Sequence, residues 1–192
     1  SQKILIEDYG ISTDLIVYVP HGTHIVNYQN PDEIKKQYNL ENRIVLSTFG
    51  LLSPGKSIET ALKALPNIID HTPNVLYLII GKTHPNSIKN NTDTYRNYLK
   101  ELVAELNLNN HVIFINKYLE IKELLDYLIA TDVYLFTSKD PNQAVSGTFS
   151  YAMSCACPIV ATAIPHTKEV LTEDLGLLVA IENSEQFAEA TK

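Results

Sequence analysis

Short apolar runs alternate with helical segments along almost the whole chain, and this alternation restricts the fold more than any other feature. The apolar runs are continuous stretches of Val, Ile, Leu, Phe and Tyr, which is typical of strands covered on both faces. The predicted strands are Leu15–Val19, Ile44–Phe49, Val75–Ile80, Val112–Ile115, Val133–Phe136, Ile159–Ala161 and Leu177–Val179. The segments that begin near Ile58, Tyr95 and Ile121 repeat apolar residues with the helical period. This order predicts an α/β fold, a Rossmann-like parallel sheet flanked by helices.

The size and charge of the chain exclude several classes of protein. A length of 192 residues fits a single domain covering 1–192. The net charge of −7 argues against a nucleic-acid surface, which needs a basic face. Cys155 and Cys157 lie in an apolar segment and are interpreted as buried thiols of a reducing compartment. Because the first residues also lack a secretory signal, we expect a cytoplasmic protein.

One loop has the pattern of a phosphate-binding turn. Ligands of parallel α/β sheets bind at the carboxyl ends of the strands. The segment Gly50–Ser57 follows a predicted strand, precedes a predicted helix and matches G-x-x-x-x-G-K-[ST]. Its glycines would let backbone N–H groups approach an anion, and Lys56 would add positive charge.

A P-loop NTPase is the less favoured interpretation of this loop. Such an enzyme needs an acidic residue at the end of an apolar strand to hold Mg²⁺. Val75–Ile80 ends in Gly81 and Val133–Phe136 ends in Thr137, whereas Asp132 precedes its strand. A phosphate loop of another kind and a purely structural glycine turn both remain possible interpretations.

The loop and several later segments resemble motifs of glycosyltransferase family 4. Phe49–Glu59 is similar to the family's G-R-L-x-x-x-K-G loop. Gln143–Met153 resembles the E-x7-E segment and the E-A-M-A helix, and Cys157–Thr162 resembles the G-x-P-V-V-A-T strand. Shorter matches in the same order are Pro20–Gly22 with P-N-G, Ile79–Gly81 with V-G, Asn109–Phe114 with N-V-x-F and Thr131–Val133 with A-D-V. The resemblance covers most of the chain, from His21 to Val179.

This resemblance implies both an architecture and a reaction. Members have the GT-B fold of two Rossmann-like domains, and the C-terminal domain binds most of the donor. The chain would then be the C-terminal half, with the N-terminal acceptor domain absent, and we expect it to be inactive alone. Any peripheral membrane association would involve that absent domain. The implied reaction is retaining transfer of a sugar, as by a hexosyltransferase, from a nucleoside-diphosphate sugar, without a cofactor or an obligatory metal.

The resemblance also assigns roles to individual residues. Lys56 would act in catalysis, because it can stabilise the negative charge left on the β-phosphate. The N–H groups of Ser146, Gly147 and Thr148 would add to this effect if they begin a helix. The other residues expected to bind the donor are Gly50, Gln143, Tyr151 and Glu169.

Three residues depart from the family pattern. Leu51 replaces the arginine of the loop, and Gln143 and Tyr151 replace the two glutamates of E-x7-E. The side chains of Gln143 and Tyr151 can still form hydrogen bonds with hydroxyl groups. The segment is also similar to Q-x-x-S-G-T-x-x-Y-A, the donor loop of a subgroup of the family. A non-catalytic, glycosyltransferase-like binding module is therefore the alternative function.

The histidines do not predict a metal site. His166 lies near the expected crevice as a lone loop histidine, which is more often a surface residue. His21 and His24 form an H-x-x-H pair in a turn, but no third ligand is apparent near them in the sequence.

Overall fold

The computed structural model describes residues 2–19, 21–22, 25–89 and 92–192. Its helices are α1 (Gln2–Glu7), α2 (Pro31–Gln37), α3 (Ile58–His71), α4 (Thr94–Glu105), α5 (Ile121–Ile129), α6 (Gly147–Ser154), α7 (Pro165–Val170) and α8 (Ser184–Thr191). Its strands are β1 (Ile44–Phe49), β2 (Val75–Ile80), β3 (Ile88–Lys89), β4 (Thr92–Asp93), β5 (Val112–Ile115), β6 (Val133–Phe136), β7 (Ile159–Thr162) and β8 (Gly176–Val179). In the described ranges, none of the helices combines the length and apolar character needed to cross a membrane.

Six strands form one parallel sheet in the order β5-β2-β1-β6-β7-β8. The chain starts in the middle of this sheet, moves outward through β2 and β5, and then returns to place β6 on the other side of β1. The strand order therefore reverses between β1 and β6, and such a switch point leaves a crevice at the carboxyl ends of the two strands. The predicted Rossmann-like parallel sheet is confirmed.

The sheet separates two apolar clusters, which explains why its strands are continuous apolar runs. In β2, Val75, Tyr77 and Ile79 belong to the cluster formed with α3, α4 and α8. The alternate residues of the same strand, such as Leu76 and Leu78, belong to the cluster formed with α2, α5, α6 and α7. Every residue of β2 is buried, as expected for a strand covered on both faces.

Four predicted strands have the observed boundaries, namely β1, β2, β5 and β6, while β7 and β8 are each one residue longer. The predicted strand Leu15–Val19 is wrong. Thr13–Leu15 forms a 3-10 turn, and residues 16–19 have no regular structure. The side chains of Leu15, Val17 and Val19 are at least three-quarters exposed. An apolar run forms a strand when a neighbouring strand pairs with it, and the described part of the chain provides no such pairing here.

Strands β1 and β6 are joined mainly at their amino ends. Asp132 accepts hydrogen bonds from the Val45 N–H and from the Lys35 ammonium, both at 2.6 Å. This confirms that Asp132 lies at the amino end of the sheet, far from the crevice. The two strands are in register at two residue pairs, whereas β1 and β2 are in register at six. Nearer the crevice, the Thr48 hydroxyl donates to the Leu135 carbonyl at 2.7 Å, so a side chain joins the strands there.

Candidate functional site

The loop after β1 lies tightly against the loop after β2. Gly50 has a φ of +137° and Gly81 a φ of +123°, a region that side chains other than glycine rarely adopt. A Cβ atom on Gly81 would lie 2.2 Å from the Gly50 carbonyl oxygen. The Gly50 N–H donates to the Ile80 carbonyl at 3.0 Å. The two glycines therefore allow the two loops to pack side by side at the crevice.

Several backbone N–H groups of the Gly50–Ser57 loop, which the sequence pattern assigns to an anion, already have partners within the protein. The N–H groups of Leu52, Lys56 and Ser57 all donate to backbone carbonyls of the protein, at 2.9 to 3.1 Å. Ser57 is fully buried, and its hydroxyl lies 3.0 Å from that of Thr60. A P-loop needs this hydroxyl for Mg²⁺ and needs free N–H groups for phosphate. The geometry therefore does not fit a P-loop NTPase.

The Lys56 side chain remains as the cationic group of this loop. Its ammonium lies 5.6 Å from the centroid of the Phe136 ring, at the end of β6. Burial lowers the pKa of Lys56 below its ordinary value of 10.5. The Lys56 carbonyl accepts a hydrogen bond of 2.6 Å from the Thr137 hydroxyl. These contacts attach the loop after β1 to the end of β6 across the switch point.

Helix α6 begins at the same crevice. Ser146 caps it, and the Ser146 hydroxyl oxygen accepts the N–H of Phe149 at 3.3 Å. The first N–H groups of a helix have no acceptor within the helix, so those of Gly147 and Thr148 are available to a ligand. Helix starts favour bound anions because the N–H groups and the helix dipole both supply positive potential.

Lys56 and the start of α6 come together, as the sequence predicted. A Cβ atom placed on Gly50 would lie 3.0 Å from the Thr148 Cγ2 atom and 3.9 Å from the Lys56 Cε atom. Segments nearly a hundred residues apart therefore meet around one point. An ammonium group and a helix start converge there, which is a suitable environment for a phosphate.

Tyr151, one turn further along α6, borders a cavity of about 420 Å³ beside these groups. We call it the switch-point cavity; its lining includes Gly50, Leu51, Thr148, Tyr151 and the segment 117–121. That last segment is not among the loops predicted from sequence, although it follows β5 and so lies at the carboxyl edge of the sheet. Its position directly after a strand is the signal that points to it, because ligands of parallel sheets bind at the carboxyl ends of the strands.

Gln143 is held at the rim of the crevice. Its amide oxygen accepts a hydrogen bond of 2.7 Å from the hydroxyl of the buried Ser138. Its amide nitrogen donates to the Val145 carbonyl at 3.4 Å, a long hydrogen bond. The amide group thus fixes the loop before α6, and its nitrogen has a second hydrogen to offer.

Glu169 lies apart from the switch-point cavity. It is on α7 and lines a different cavity of about 280 Å³, together with His21 and His166. The structure therefore assembles Gly50, Lys56, Ser146, Gly147, Thr148 and Tyr151 around the crevice, with Gln143 at its rim and Glu169 in the neighbouring cavity.

The remaining sequence expectations concern cysteine and metal ligands. Burial raises the pKa of the Cys155 thiol to about 11 and that of the Cys157 thiol to about 12, which favours the protonated thiol at pH 7. His24 and Pro20 lie outside the described residues. Within the described ranges, no group of three His, Cys, Asp or Glu side chains is arranged to hold a metal ion.

Comparison with known proteins identifies the family. The family described as Glycosyl transferases group 1 matches residues 30–192. The chain belongs to this family. Among curated proteins, this group 1 chain is similar to spore coat protein SA of Bacillus subtilis, with 26% identity over 178 residues, which are 92% of the chain and 45% of that protein. The chain thus spans less than half the length of this relative.

Several solved structures have a similar fold. A glycosyltransferase from Rickettsia africae has a TM-score of 0.77 at 19% identity, covering 98% of the group 1 chain and 49% of that protein. HepE of Anabaena, solved in complex with UDP, has a TM-score of 0.70 at 24% identity, and the match covers 83% of the group 1 chain and 41% of HepE. The C-terminal domain of a group 1 glycosyltransferase, LpcC of Francisella tularensis, has a TM-score of 0.72 at 19% identity. The match covers 86% of the group 1 chain and 82% of the solved domain.

Proposed function

We propose that this chain is the donor-binding domain of a retaining glycosyltransferase of family 4, a hexosyltransferase with the GT-B fold. It binds a nucleoside-diphosphate sugar and contributes to sugar transfer onto an acceptor. One observation carries the proposal: the Lys56 ammonium and the start of α6 converge beside Gly50. HepE, which has a similar fold, has been solved with UDP and with UDP-glucose.

The diphosphate binds between Lys56 and the N–H groups of Gly147 and Thr148. When the bond to the sugar breaks, negative charge accumulates on the β-phosphate of the departing nucleoside diphosphate. Positive groups that are already in place stabilise this charge without reorganisation, which lowers the barrier. The ammonium and the helix start supply that positive potential, so the proposed reaction needs no metal ion.

The nucleoside occupies the switch-point cavity. Tyr151 lines this cavity and stands where the family pattern has the glutamate that contacts the ribose. A tyrosine hydroxyl can hydrogen-bond one ribose hydroxyl, and its ring offers an apolar surface. Leu51, which is 46% exposed, borders the same cavity and adds a second apolar contact. This site would recognise a nucleoside mainly by shape and apolar contact.

The acceptor domain belongs to the part of the protein outside this chain. The chain covers 41% of HepE and 49% of the Rickettsia glycosyltransferase, which leaves room for a second domain in proteins of that length. Closure of two domains over a donor excludes water and completes a catalytic site. The isolated chain should therefore bind donors without transferring sugar.

Calorimetric titration of the chain tests the binding part of this proposal. UDP, GDP and ADP are titrated separately, followed by UDP-glucose, GDP-mannose and ADP-glucose. We expect one nucleotide class to bind with a dissociation constant of roughly 10 μM to 1 mM, as is usual for enzyme substrates. An absence of heat and of thermal stabilisation with every compound would reject the proposal.

A non-catalytic binding module is the second candidate function. It is favoured by the position of Gln143, whose amide oxygen is occupied by Ser138. Release of nucleoside diphosphate by the full-length protein, measured with its donor in the presence and absence of acceptor extracts, separates the two candidates. Donor binding without any turnover would favour the binding module.

A further inference from the structure

Arg96, in the first turn of α4, has a guanidinium group that is almost completely buried, since the residue is 2% exposed. Its Nη2 atom donates to the Gly81 carbonyl at 2.8 Å. Its Nε atom lies 3.2 Å from both the Thr83 hydroxyl oxygen and an Asp93 carboxylate oxygen, and the Thr83 hydroxyl donates to that same carboxylate oxygen. We call Thr83, Asp93 and Arg96 the arginine cluster. One cation thus joins three points of the segment between β2 and α4.

The arginine cluster closes the base of the segment between β2 and α4. Thr83 lies near the start of this segment, and Asp93 ends it as the last residue of β4. The Asp93 carboxylate also caps α4, because it accepts the Arg96 N–H at 3.1 Å. Between Thr83 and Asp93, strands β3 and β4 form an antiparallel pair. The cluster therefore fixes where the chain leaves β2 and where it enters α4.

The segment that Arg96 holds also supports the Gly50–Ser57 loop. The Leu52 N–H donates to the Lys82 carbonyl at 2.9 Å, and the His84 N–H donates to the Leu52 carbonyl at 2.8 Å. Thr83, between these two residues, forms an isolated parallel bridge with Leu52. A displacement of this segment would therefore move the loop that carries the proposed phosphate-binding lysine.

A contribution to stability alone does not explain a buried cation at this place. Removing a guanidinium group from water is costly, and well-packed apolar side chains often stabilise a fold as well as a buried ion pair does. The Nη1 atom of Arg96 is also buried, and it has no hydrogen-bond partner among the described residues. What a guanidinium group supplies is a rigid, planar set of donors, which sets the spacing of the groups that it contacts. Departures from the most stable arrangement are expected at functional sites.

We infer that Arg96 is a positioning residue for the proposed diphosphate site and acts through Gly81 and Thr83 on the Gly50–Ser57 loop. This inference rests on the proposed function, because it concerns the same phosphate-binding groups. Gly81 lines the switch-point cavity, and a Cβ atom on it would lie 2.2 Å from the Gly50 carbonyl oxygen. The guanidinium group holds this backbone in place, so the ammonium of the loop stays at the correct distance from the start of α6.

Arg43 is a matched control at the opposite end of the sheet. Its Nη2 atom donates to the carbonyls of Val75 and Asn110, at 2.8 and 3.0 Å. Its Nε atom is buried and, like Nη1 of Arg96, lacks a hydrogen-bond partner within the described ranges. Both arginines therefore join backbone carbonyls near the ends of strands, but Arg43 does so far from the crevice. A glutamine at either position should destabilise the fold, whereas only the change at Arg96 should alter ligand binding.

The test compares Arg96→Gln with Arg43→Gln, and Thr83→Val with Thr83→Ser. Valine has the shape of threonine without its hydroxyl, and serine keeps the hydroxyl, so this pair isolates the hydrogen bonds of the cluster. UDP, GDP and ADP are titrated calorimetrically into each variant, and thermal unfolding reports its stability. Thr83→Val tests the inference even if Arg96→Gln does not fold.

We expect Arg96→Gln to weaken binding of the preferred nucleoside diphosphate by about 5- to 20-fold, and Thr83→Val by about 3- to 10-fold, because the phosphate-binding groups are no longer held in place. Thr83→Ser should bind within about twofold of the unchanged chain, since it retains the hydroxyl. Arg43→Gln should also stay within about twofold, although it unfolds at a lower temperature.

Two different results separate failure of this inference from failure of the proposed function. If the unchanged chain binds none of the three nucleoside diphosphates, the proposed function fails and the inference fails with it. If it binds one of them, but the folded Arg96 and Thr83 variants bind it equally well, the arginine cluster serves stability only and the inference alone is overturned. An equal loss of affinity in Arg43→Gln would overturn it in the same way.

Discussion

The Lys56 ammonium lies over the ring of Phe136, 5.6 Å from its centroid. Lys56 comes from the loop after β1 and Phe136 is the last residue of β6, so this pair joins the two strands at the switch point. A contact of this type contributes about 0.5–2 kcal/mol. It offsets part of the cost of removing the ammonium from water. The cation is therefore held near the start of α6 before any ligand arrives.

Lys56→Ala should weaken binding of a nucleoside diphosphate about 10- to 100-fold, because a hydrogen bond to a charged group contributes roughly 1.5–3 kcal/mol. Isothermal titration of the chain with the preferred nucleotide measures this change. Lys63→Ala is the matched control, since Lys63 is an exposed lysine of the adjacent helix α3. Equal losses in the two variants would contradict a specific role for Lys56.

The affinity of the chain for a nucleoside diphosphate should fall as the pH rises above neutral, and the fall should begin below the pH at which an ordinary lysine loses its proton. Burial lowers the pKa of Lys56 in the free chain, so the ammonium loses its proton at a lower pH than an ordinary lysine does. A bound diphosphate favours the charged form, and binding above that pKa requires uptake of a proton. The terminal phosphate does not change its charge in this range, because its second pKa is about 6.

Lys56→Arg provides the control for this pH dependence, because arginine stays protonated throughout. Titrations in buffers of different ionisation enthalpy also count the protons taken up by the unchanged chain. A parallel decline in affinity for both proteins would assign the pH dependence to another group.

Gly81→Ala should lower the free energy of unfolding by about 2–4 kcal/mol, because it adds steric overlap to a strained φ. The new methyl group would lie 2.2 Å from the Gly50 carbonyl oxygen. Gly55→Ala is the comparison, since its Cβ atom would meet Ser53 Oγ at 3.9 Å, an ordinary contact. It should stay within about 1 kcal/mol of the unchanged chain. Urea unfolding measures both values, and similar stabilities would mean that the two loops separate at little cost.

Binding of nucleoside diphosphates should not depend on Mg²⁺. Ser57 is buried, and Asp132 is committed to Val45 and Lys35 at the opposite end of the sheet. The affinities measured in Mg²⁺ and in EDTA should agree within about twofold. An affinity about tenfold higher with Mg²⁺ would return the P-loop interpretation to consideration.

The sheet could be predicted from sequence because its strands are buried on both faces. The run Val75–Ile80 has six apolar residues and forms β2 with the same boundaries. Leu15–Val19 has the same character but pairs with no strand in the described ranges, so the composition of a run does not determine whether it finds a partner. Pairing depends on distant parts of the chain, which a local pattern does not contain.

The convergence of Lys56 and Thr148 could also be predicted, since both follow strands that meet at the switch point. The backbone of the loop between Gly50 and Ser57 could not. Ser57 adopts a left-handed conformation with a φ of 48°, and the 3-10 turn before it uses N–H groups that the motif assigns to phosphate. The motif describes residue types, whereas phosphate binding depends on which N–H groups remain free.

The short pairing between β1 and β6 has a consequence for the width of the crevice. Beyond the two paired positions of these strands, the Thr48 hydroxyl spans the gap to Leu135. A substitution such as Thr48→Val removes this link without deleting any backbone pairing. We therefore expect side-chain substitutions at this end of the two strands to change the distance between the two elements that are proposed to bind phosphate.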